Sequence, residues 1–317
     1  MSLSTSVIDG AVGYEYPPVD VSWTKKDTIT YALGVGAKKE DFQLLYELDK
    51  NFAILPTYPS VLGLKGTDSD VTLFSERVKN RGNSGLPHFD PNRVVHFTQT
   101  VEILQPLPVA SGPGWKLTTR ITSVNENKSG VIVENESLLV NANGTPFARL
   151  FSSAFNLGAK ITGTKYGKSV ASPPKAPAVP KDRKPDYVVH EQTTPEQAVL
   201  FRLSGDYNPL HIDPAIGKAG GFGGVILHGL STYGFSGRAL VNAVGGRDPS
   251  SLRYFGARFT APVRPGDALE VSAWEVGQGP DGTTEVVFET KNLQTGKVAI
   301  GGGHAFVKKG GALKGKL

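Results

Sequence analysis

The chain has 317 residues, 39% of them hydrophobic and 20% charged, and no cysteine. That length suits two domains or one large one, and the lack of cysteine excludes a disulfide framework, thiolate metal ligands and thiol nucleophiles together. The net charge of +5 is mostly interspersed, with an excess at Lys175, Lys181 and Lys184 and in the tail at Lys308, Lys309, Lys314 and Lys316.

A mild positive field suits a polyanionic ligand such as a nucleotide or coenzyme A. Nucleic-acid binding wants a denser basic stripe and a recognisable module, so no nucleic-acid partner is expected. No apolar run approaches the roughly 18 residues of a membrane span, so no membrane partner is expected either. Met1-Ser2-Leu3-Ser4 lacks the basic and apolar regions of a secretory signal.

In chain order, Lys26–Gly34 reads as a helix. An alternating strand then runs into Pro106 and Pro108. Strands follow over Trp115–Val124, Val131–Asn141 and Pro146–Phe155, with turns at Asn125–Gly130 and Asn143-Gly144. The second turn is a strong hairpin signal. Residues 166–186 hold five prolines and no core-forming period, which describes an extended, semi-rigid linker. Beyond it the order returns. A helix is expected over Thr194–Ser204, with Thr194 as N-cap before Pro195 at the first helical position. A second, over Leu230–Val244, follows the spacing of Leu230, Tyr233, Leu240, Val241 and Val244. A strand ends at Pro262 and Pro265, and three more cover Ala268–Val276, Thr284–Leu293 and Val298–Val307. The sequence thus reads as a duplicated α+β unit, with a first repeat over 1–165, a linker over 166–186 and a second repeat over 187–317.

The second repeat carries the chemistry. In Asp206-Tyr207-Asn208-Pro209-Leu210-His211, Pro209 ends any helix nearby and leaves both Asp206 and His211 in a loop. Five residues apart across a bend, a carboxylate and an imidazole can converge on one water, and histidine titrates near neutrality. Asn208 offers a donor and an acceptor to orient that water. An Asx turn followed by a buried structural histidine fits the same loop. Downstream, Gly229 follows His228 at the expected helix start, where unpaired N–H groups and the helix dipole favour negative charge. A glycine there lets a ligand oxygen come close. A plain capped helix with a packed His228 is the alternative.

Together, Asp206–His211 and His228-Gly229 resemble the MaoC-like hydratases, most closely the 2-enoyl-CoA hydratase 2 type that also forms the hydratase domain of the peroxisomal multifunctional enzyme type 2. Val95-His96-Phe97, Leu104–Pro108, Lys128-Ser129-Gly130 and Ala257–Gly266 extend the likeness across both halves. The resemblance implies a double hot-dog fold, each repeat wrapping a curved antiparallel sheet around a long helix. It implies hydration of a trans-2-enoyl-CoA to the (3R)-3-hydroxyacyl-CoA in fatty-acid β-oxidation, with no cofactor and no metal. Asp206 and His211 would activate the water, Asn208 would hold it, and the Gly229 amide would bind the thioester oxygen. His96, Phe97, Lys128 and Phe259 would contact the acyl-CoA, as would Tyr207, Pro209 and Leu210 beside the catalytic groups. The family more often has His-Gly where His96-Phe97 stands. Gly36 occupies the place of Asp206 in the first repeat, which would therefore be non-catalytic and house the acyl tail. A homodimer is implied. Gly315-Lys316-Leu317 is close to a peroxisomal import signal, with Gly315 departing from the usual Ser, Ala or Cys; without a working signal the chain would be cytoplasmic. An acyl-CoA thioesterase and a non-catalytic acyl-CoA-binding module are the competing readings of the same fold.

Overall fold

The computed structural model describes residues 5–74 and 82–310. The terminal Gly315-Lys316-Leu317 and the tail lysines Lys314 and Lys316 lie outside the described residues.

The first repeat contributes β1 (Val19–Asp20), β2 (Val94–Ile103), β3 (Lys116–Asn127), β4 (Gly130–Val140) and β5 (Pro146–Leu157). A short β6 (Tyr166–Ser169) follows. The second repeat contributes β7 (Tyr187–Gln192), β8 (Leu252–Phe259), β9 (Ala268–Gln278), β10 (Thr284–Asn292) and β11 (Val298–Val307). All eleven belong to one antiparallel sheet of order β1-β3-β4-β5-β2-β8-β11-β10-β9-β7, with β6 on the outer edge of β3. Each half therefore runs first, third, fourth, fifth, second. The same order twice is the duplication seen in hydrogen bonds.

The halves meet at β2 and β8, paired from Thr98↔Arg258 to Glu102↔Tyr254. This ladder satisfies two edges that would otherwise lie open. At its open end β2 bulges, since the register with β5 slips between His96 and Thr98 and leaves Phe97 unpaired. A bulge bends a strand and re-aims its side chains.

The helices are α1 (Thr5–Ala11), α2 (Lys25–Gly34), α3 (Phe42–Leu45), α4 (Pro59–Lys65), α5 (Gln197–Phe201), α6 (Pro214–Ala219) and α7 (Gly229–Ala243). Thr24 and Asp27 form a reciprocal capping box on α2, which fixes its first turn. The 15-residue α7 is the central helix of its repeat. Tyr233, Phe235, Ala239, Leu240 and Val241 are buried on it, and the Tyr233 hydroxyl donates to Phe255 O.

Two expectations need correction. Among the described residues the first repeat shows no long central helix, because the counterpart α4 stops after seven residues at Gly66. The helix expected over Thr194–Ser204 is α-helical only over Gln197–Phe201, followed by a 3-10 turn over Arg202–Ser204. Thr194 does not cap it. Instead, Gln197 turns its amide Nε2 to Leu33 O and Gly34 O at the end of α2, so packing against α2 sets where α5 begins.

The segment 166–186 also differs from a plain linker, since its first four residues are β6, paired to β3. From there residues 170–186 cross to β7 on the opposite flank. Ala171–Pro174 lie over Thr100, Arg149 and Tyr254 of the sheet. Further on, Arg183 and Asp186 pair with each other, and Trp274 Nε1 donates to Arg183 O.

A buried ionic cluster ties α7 to the first repeat. Arg238 (3% exposed side chain) bonds Asp41 at 3.3 Å and Glu191 at 2.6 Å, and its Nε donates to Val35 O. Arg238→Ala would leave the buried Glu191 carboxylate without its ion-pair partner and Asp41 with Arg247 alone, which costs about 3–5 kcal/mol. Urea unfolding is expected to show that loss, and an unfolding free energy within about 1 kcal/mol of the parent would refute the clamp.

Candidate active site

The loop after α5 presents the candidate residues Asp206 and His211. It leaves the 3-10 turn through Gly205, at φ +115, where an added Cβ would sit 2.6 Å from Lys65 Cα. Backbone conformation and space both demand glycine there, and the contact seats the loop on the end of α4. The Asp206 carboxylate next accepts from Asn208 N at 3.3 Å. Asn208 Oδ1 accepts from Leu210 N at 3.1 Å and so caps the 3-10 turn Pro209–His211. Pro209, at the first position of that turn, needs no N–H partner.

His211 is 8% exposed, and its Nδ1 bonds Ile226 O at 2.9 Å. A carbonyl only accepts, so Nδ1 carries the proton and Nε2 offers a lone pair. Ile226 is held in turn because Leu227 N donates to Val263 O at 2.7 Å. Burial lowers the pKa of His211 against the pull of the Asp206 charge. Burial raises that of Asp206 against the opposing effect of His211. The two are brought toward one another, which suits groups that exchange a proton.

Gly229 begins α7, so its amide precedes any intrahelical carbonyl partner. The first helical bonds are those of Ser231 N and Thr232 N to His228 O. An added Cβ at Gly229 would lie 3.1 Å from Phe259 Cδ1. The Phe259 ring stands 4.6 Å from that of His96. A wall thus runs from the helix start across β8 to β2 of the other repeat. His96 Nε2 lies 3.1 Å from both Thr98 O and Ser152 Oγ. His96 keeps an accessible face, yet the protein around its ring displaces solvent and lowers its pKa to about 4. Phe97, in the bulge, packs on Phe155 at 5.8 Å and under the Arg258 guanidinium at 6.0 Å.

Tyr207 flanks the loop, with Arg202 Cζ 5.4 Å from its ring centroid and its hydroxyl 3.5 Å from Asp70 O. Leu210 is half-buried. Lys128 is exposed on the β3–β4 turn. Lys160 Nζ donates to Asn127 O and Lys128 O of that turn, and Lys160 lines a cleft of about 400 Å³ with His88, Arg93 and Leu157. His304 pairs with Glu285 at 2.8 Å and is 2% exposed, a structural place.

Sequence reasoning undervalued His228. It is fully buried, stacked on His211 with ring centroids 3.8 Å apart, and its Nε2 is 3.1 Å from Asp206 O. The only hint in the sequence is its place beside Gly229. Asp206, His211 and His228 each bring a potential ligand atom within 4.8 Å of the others. Two stacked imidazoles send their in-plane nitrogen lone pairs out in nearly parallel sheets, whereas a metal needs them to converge. The arrangement suits proton transfer better than coordination.

Over the helical segments that precede β2 and β8, the first repeat can be laid on the second at an offset of 170 residues, as from Gly36 to Asp206. His211 then falls on Asp41, which is bound to Arg238. His228 falls on Tyr58 and Gly229 on Pro59, the first residue of α4, which has no N–H. None of these groups of the site has a working copy in the first repeat.

Residues 177–298 match the MaoC-like domain, and residues 21–158 match the MFE-2 hydratase 2 N-terminal domain. A probable enoyl-CoA hydratase 2 of Dictyostelium discoideum is 32% identical over 94% of this chain and 95% of its own length. The peroxisomal multifunctional enzyme type 2 of Drosophila melanogaster is 36% identical over 90% of this chain, which spans only 46% of that longer protein. A crystal structure of a MaoC-like dehydratase from Phytophthora capsici superposes with a TM-score of 0.85, at 32% identity, over 97% of this chain and 99% of that one. With this architecture and these relatives, the chain belongs to the MaoC-like hydratases of the enoyl-CoA hydratase 2 type, with a double hot-dog fold.

Proposed function

We propose that the protein hydrates a trans-2-enoyl-CoA to the (3R)-3-hydroxyacyl-CoA. The observation that carries this is the Asp206–His211 pair, with a bare imidazole Nε2, beside the unpaired amide of Gly229. One water sits between the carboxylate and Nε2. His211 takes one of its protons as the oxygen bonds to C3, while Asp206 accepts a hydrogen bond from the other and holds the charge that develops on the imidazole. The C2=C3 electron pair moves toward the thioester, whose oxygen gains enolate character and is held by Gly229 N–H. The proton on His211 then passes to C2. Water is thereby added without net gain or loss of a proton. The Asn208 amide nitrogen orients the water, since Oδ1 is spent on the turn.

Phe259 and His96 form the wall along which the thioester lies, with Phe97, Tyr207, Pro209 and Leu210 around it, and Lys128 meets the nucleotide end through its charge. The first repeat houses the acyl tail, where α4 is eight residues shorter than the 15-residue α7. The multifunctional relatives are named peroxisomal, which supports a place in peroxisomal β-oxidation. Exposed Phe42 (57%) and Leu48 (73%) support a homodimer, which light scattering would register as twice 33.7 kDa.

Incubation with crotonyl-CoA or decenoyl-CoA tests the reaction. Loss of enoyl absorbance without free thiol is expected, and thiol release would establish a thioesterase instead. Asp206→Asn is expected to lower kcat by about 10²–10⁴ and to leave product affinity within severalfold, as read by calorimetry. In the same variant the His211 imidazole loses the carboxylate that favours its charged form. Its NMR titration therefore moves to lower pH, and a rise would contradict the pairing. Gly229→Pro imitates Pro59 of the first repeat and removes the N–H. It should cost about 100- to 1,000-fold in kcat, whereas Gly229→Ala, which keeps the N–H and displaces Phe259 slightly, should cost far less. Equal losses in the two variants would remove the oxyanion role.

A further inference from the structure

His228 is polar, fully enclosed and unused by the chemistry above. It sits between Phe201, at 5.0 Å, and His211, at 3.8 Å with planes 29° apart. Its Nε2 bonds the main-chain carbonyl of Asp206, which requires a proton on Nε2 and leaves Nδ1 bare. Nδ1 is buried without a hydrogen-bond partner. A buried polar atom of this kind carries a desolvation cost that calls for an explanation. The peptide bond after His228 also supplies the Gly229 amide.

We propose that His228 is a positioning residue for the hydration, locking the Asp206 main chain, the His211 ring plane and the Gly229 amide into one unit. The inference rests on the hydratase reading of the site. Three constraints meet in one side chain. The Nε2–H bond fixes the strand of backbone from which the Asp206 carboxylate projects. The stacked face limits rotation of the His211 ring, which Ile226 O holds by one edge only. When His211 takes a proton, the neutral π face of His228 lies against the new cation and favours it. That last role requires His228 to stay uncharged. The ionisable groups facing it are His211, Asp206 and Arg202, and burial, followed by the charges of His211 and Arg202, depresses its pKa well below the ordinary histidine value. A bare Nδ1 fits this arrangement, because a partner donating to it would draw electron density from the face.

Two variants separate the constraints. His228→Phe keeps an aromatic face and deletes the N–H. His228→Gln keeps a donor for Asp206 O and deletes the face. His228→Phe is expected to lower kcat by about 100-fold, with KM within about threefold of the parent and an unmoved acid limb of the pH profile. His228→Gln is expected to retain more of kcat and to shift the acid limb to lower pH, since the His211 cation loses its stacked partner. Both variants within twofold of the parent kcat, or a loss confined to KM, would overturn the proposal. If either variant melts well below the parent, the imidazole ¹⁵N shifts of the unaltered protein decide. A neutral Nε2–H form of His228 throughout pH 5–8 supports the lock, and a charged or Nδ1–H form sinks it. Crotonyl-CoA turnover by the parent tests the hydratase reading separately, and the ¹⁵N measurement needs no turnover.

Discussion

The pairing of β2 with β8 is the constraint on which the rest depends. Each repeat alone would end in an open edge with unmet N–H and C=O groups. Joined from Thr98 to Glu102 and from Tyr254 to Arg258, the edges disappear and two half-sheets become one. The ladder then stops. Just past its end β2 bulges at Phe97, and His96 and Phe259 come together from different repeats. The proposed binding wall therefore lies where backbone pairing gives out, and its floor is the start of α7, a few ångströms from Phe259.

Two copies of one architecture carry one set of chemical groups. The change is achieved by ordinary substitutions at matched places. Glycine stands for Asp206, and proline, which lacks the donor, for Gly229. The place of His211 went to Asp41, and this carboxylate was put to structural use. It pairs with Arg238 on α7, so the first repeat braces the helix whose first amide is the proposed oxyanion donor. The shortened α4 ends beneath Gly205, and the first repeat thus also props the loop that carries Asp206 and His211.

Much of this was legible in the sequence, for identifiable reasons. The strands of both repeats were readable because alternation and hairpin turns act locally, and Val298–Val307 matched to the residue. The catalytic loop was readable because Asp, Asn, Pro and His crowd into six positions. Helix ends were less so. Thr194-Pro195 has the chemistry of a helix start, but Gln197 answers to the carbonyls of α2, more than 160 residues away. The short α4 likewise depends on what it must make room for. The stacking of His228 on His211 joins residues 17 positions apart through a fold that no local pattern encodes. The bulge at Phe97 is of the same kind, set by the register of three strands at once.

The strap over residues 170–186 has a thermodynamic meaning beyond its path. It leaves from β6, outside β3, and rejoins at β7, outside β9, nine strand spacings away along the sheet, or roughly 43 Å. An extended segment of that length reaches roughly 50 Å, so it spans the sheet only if it runs nearly straight. It also turns the meeting of two half-sheets from an encounter between molecules into a unimolecular event, at an effective concentration in the millimolar range. The seam at β2 and β8 need not by itself hold two free half-proteins together at cellular dilution. A short ladder suffices there because the chain never lets its halves part, which leaves the end of the seam free to open into a site.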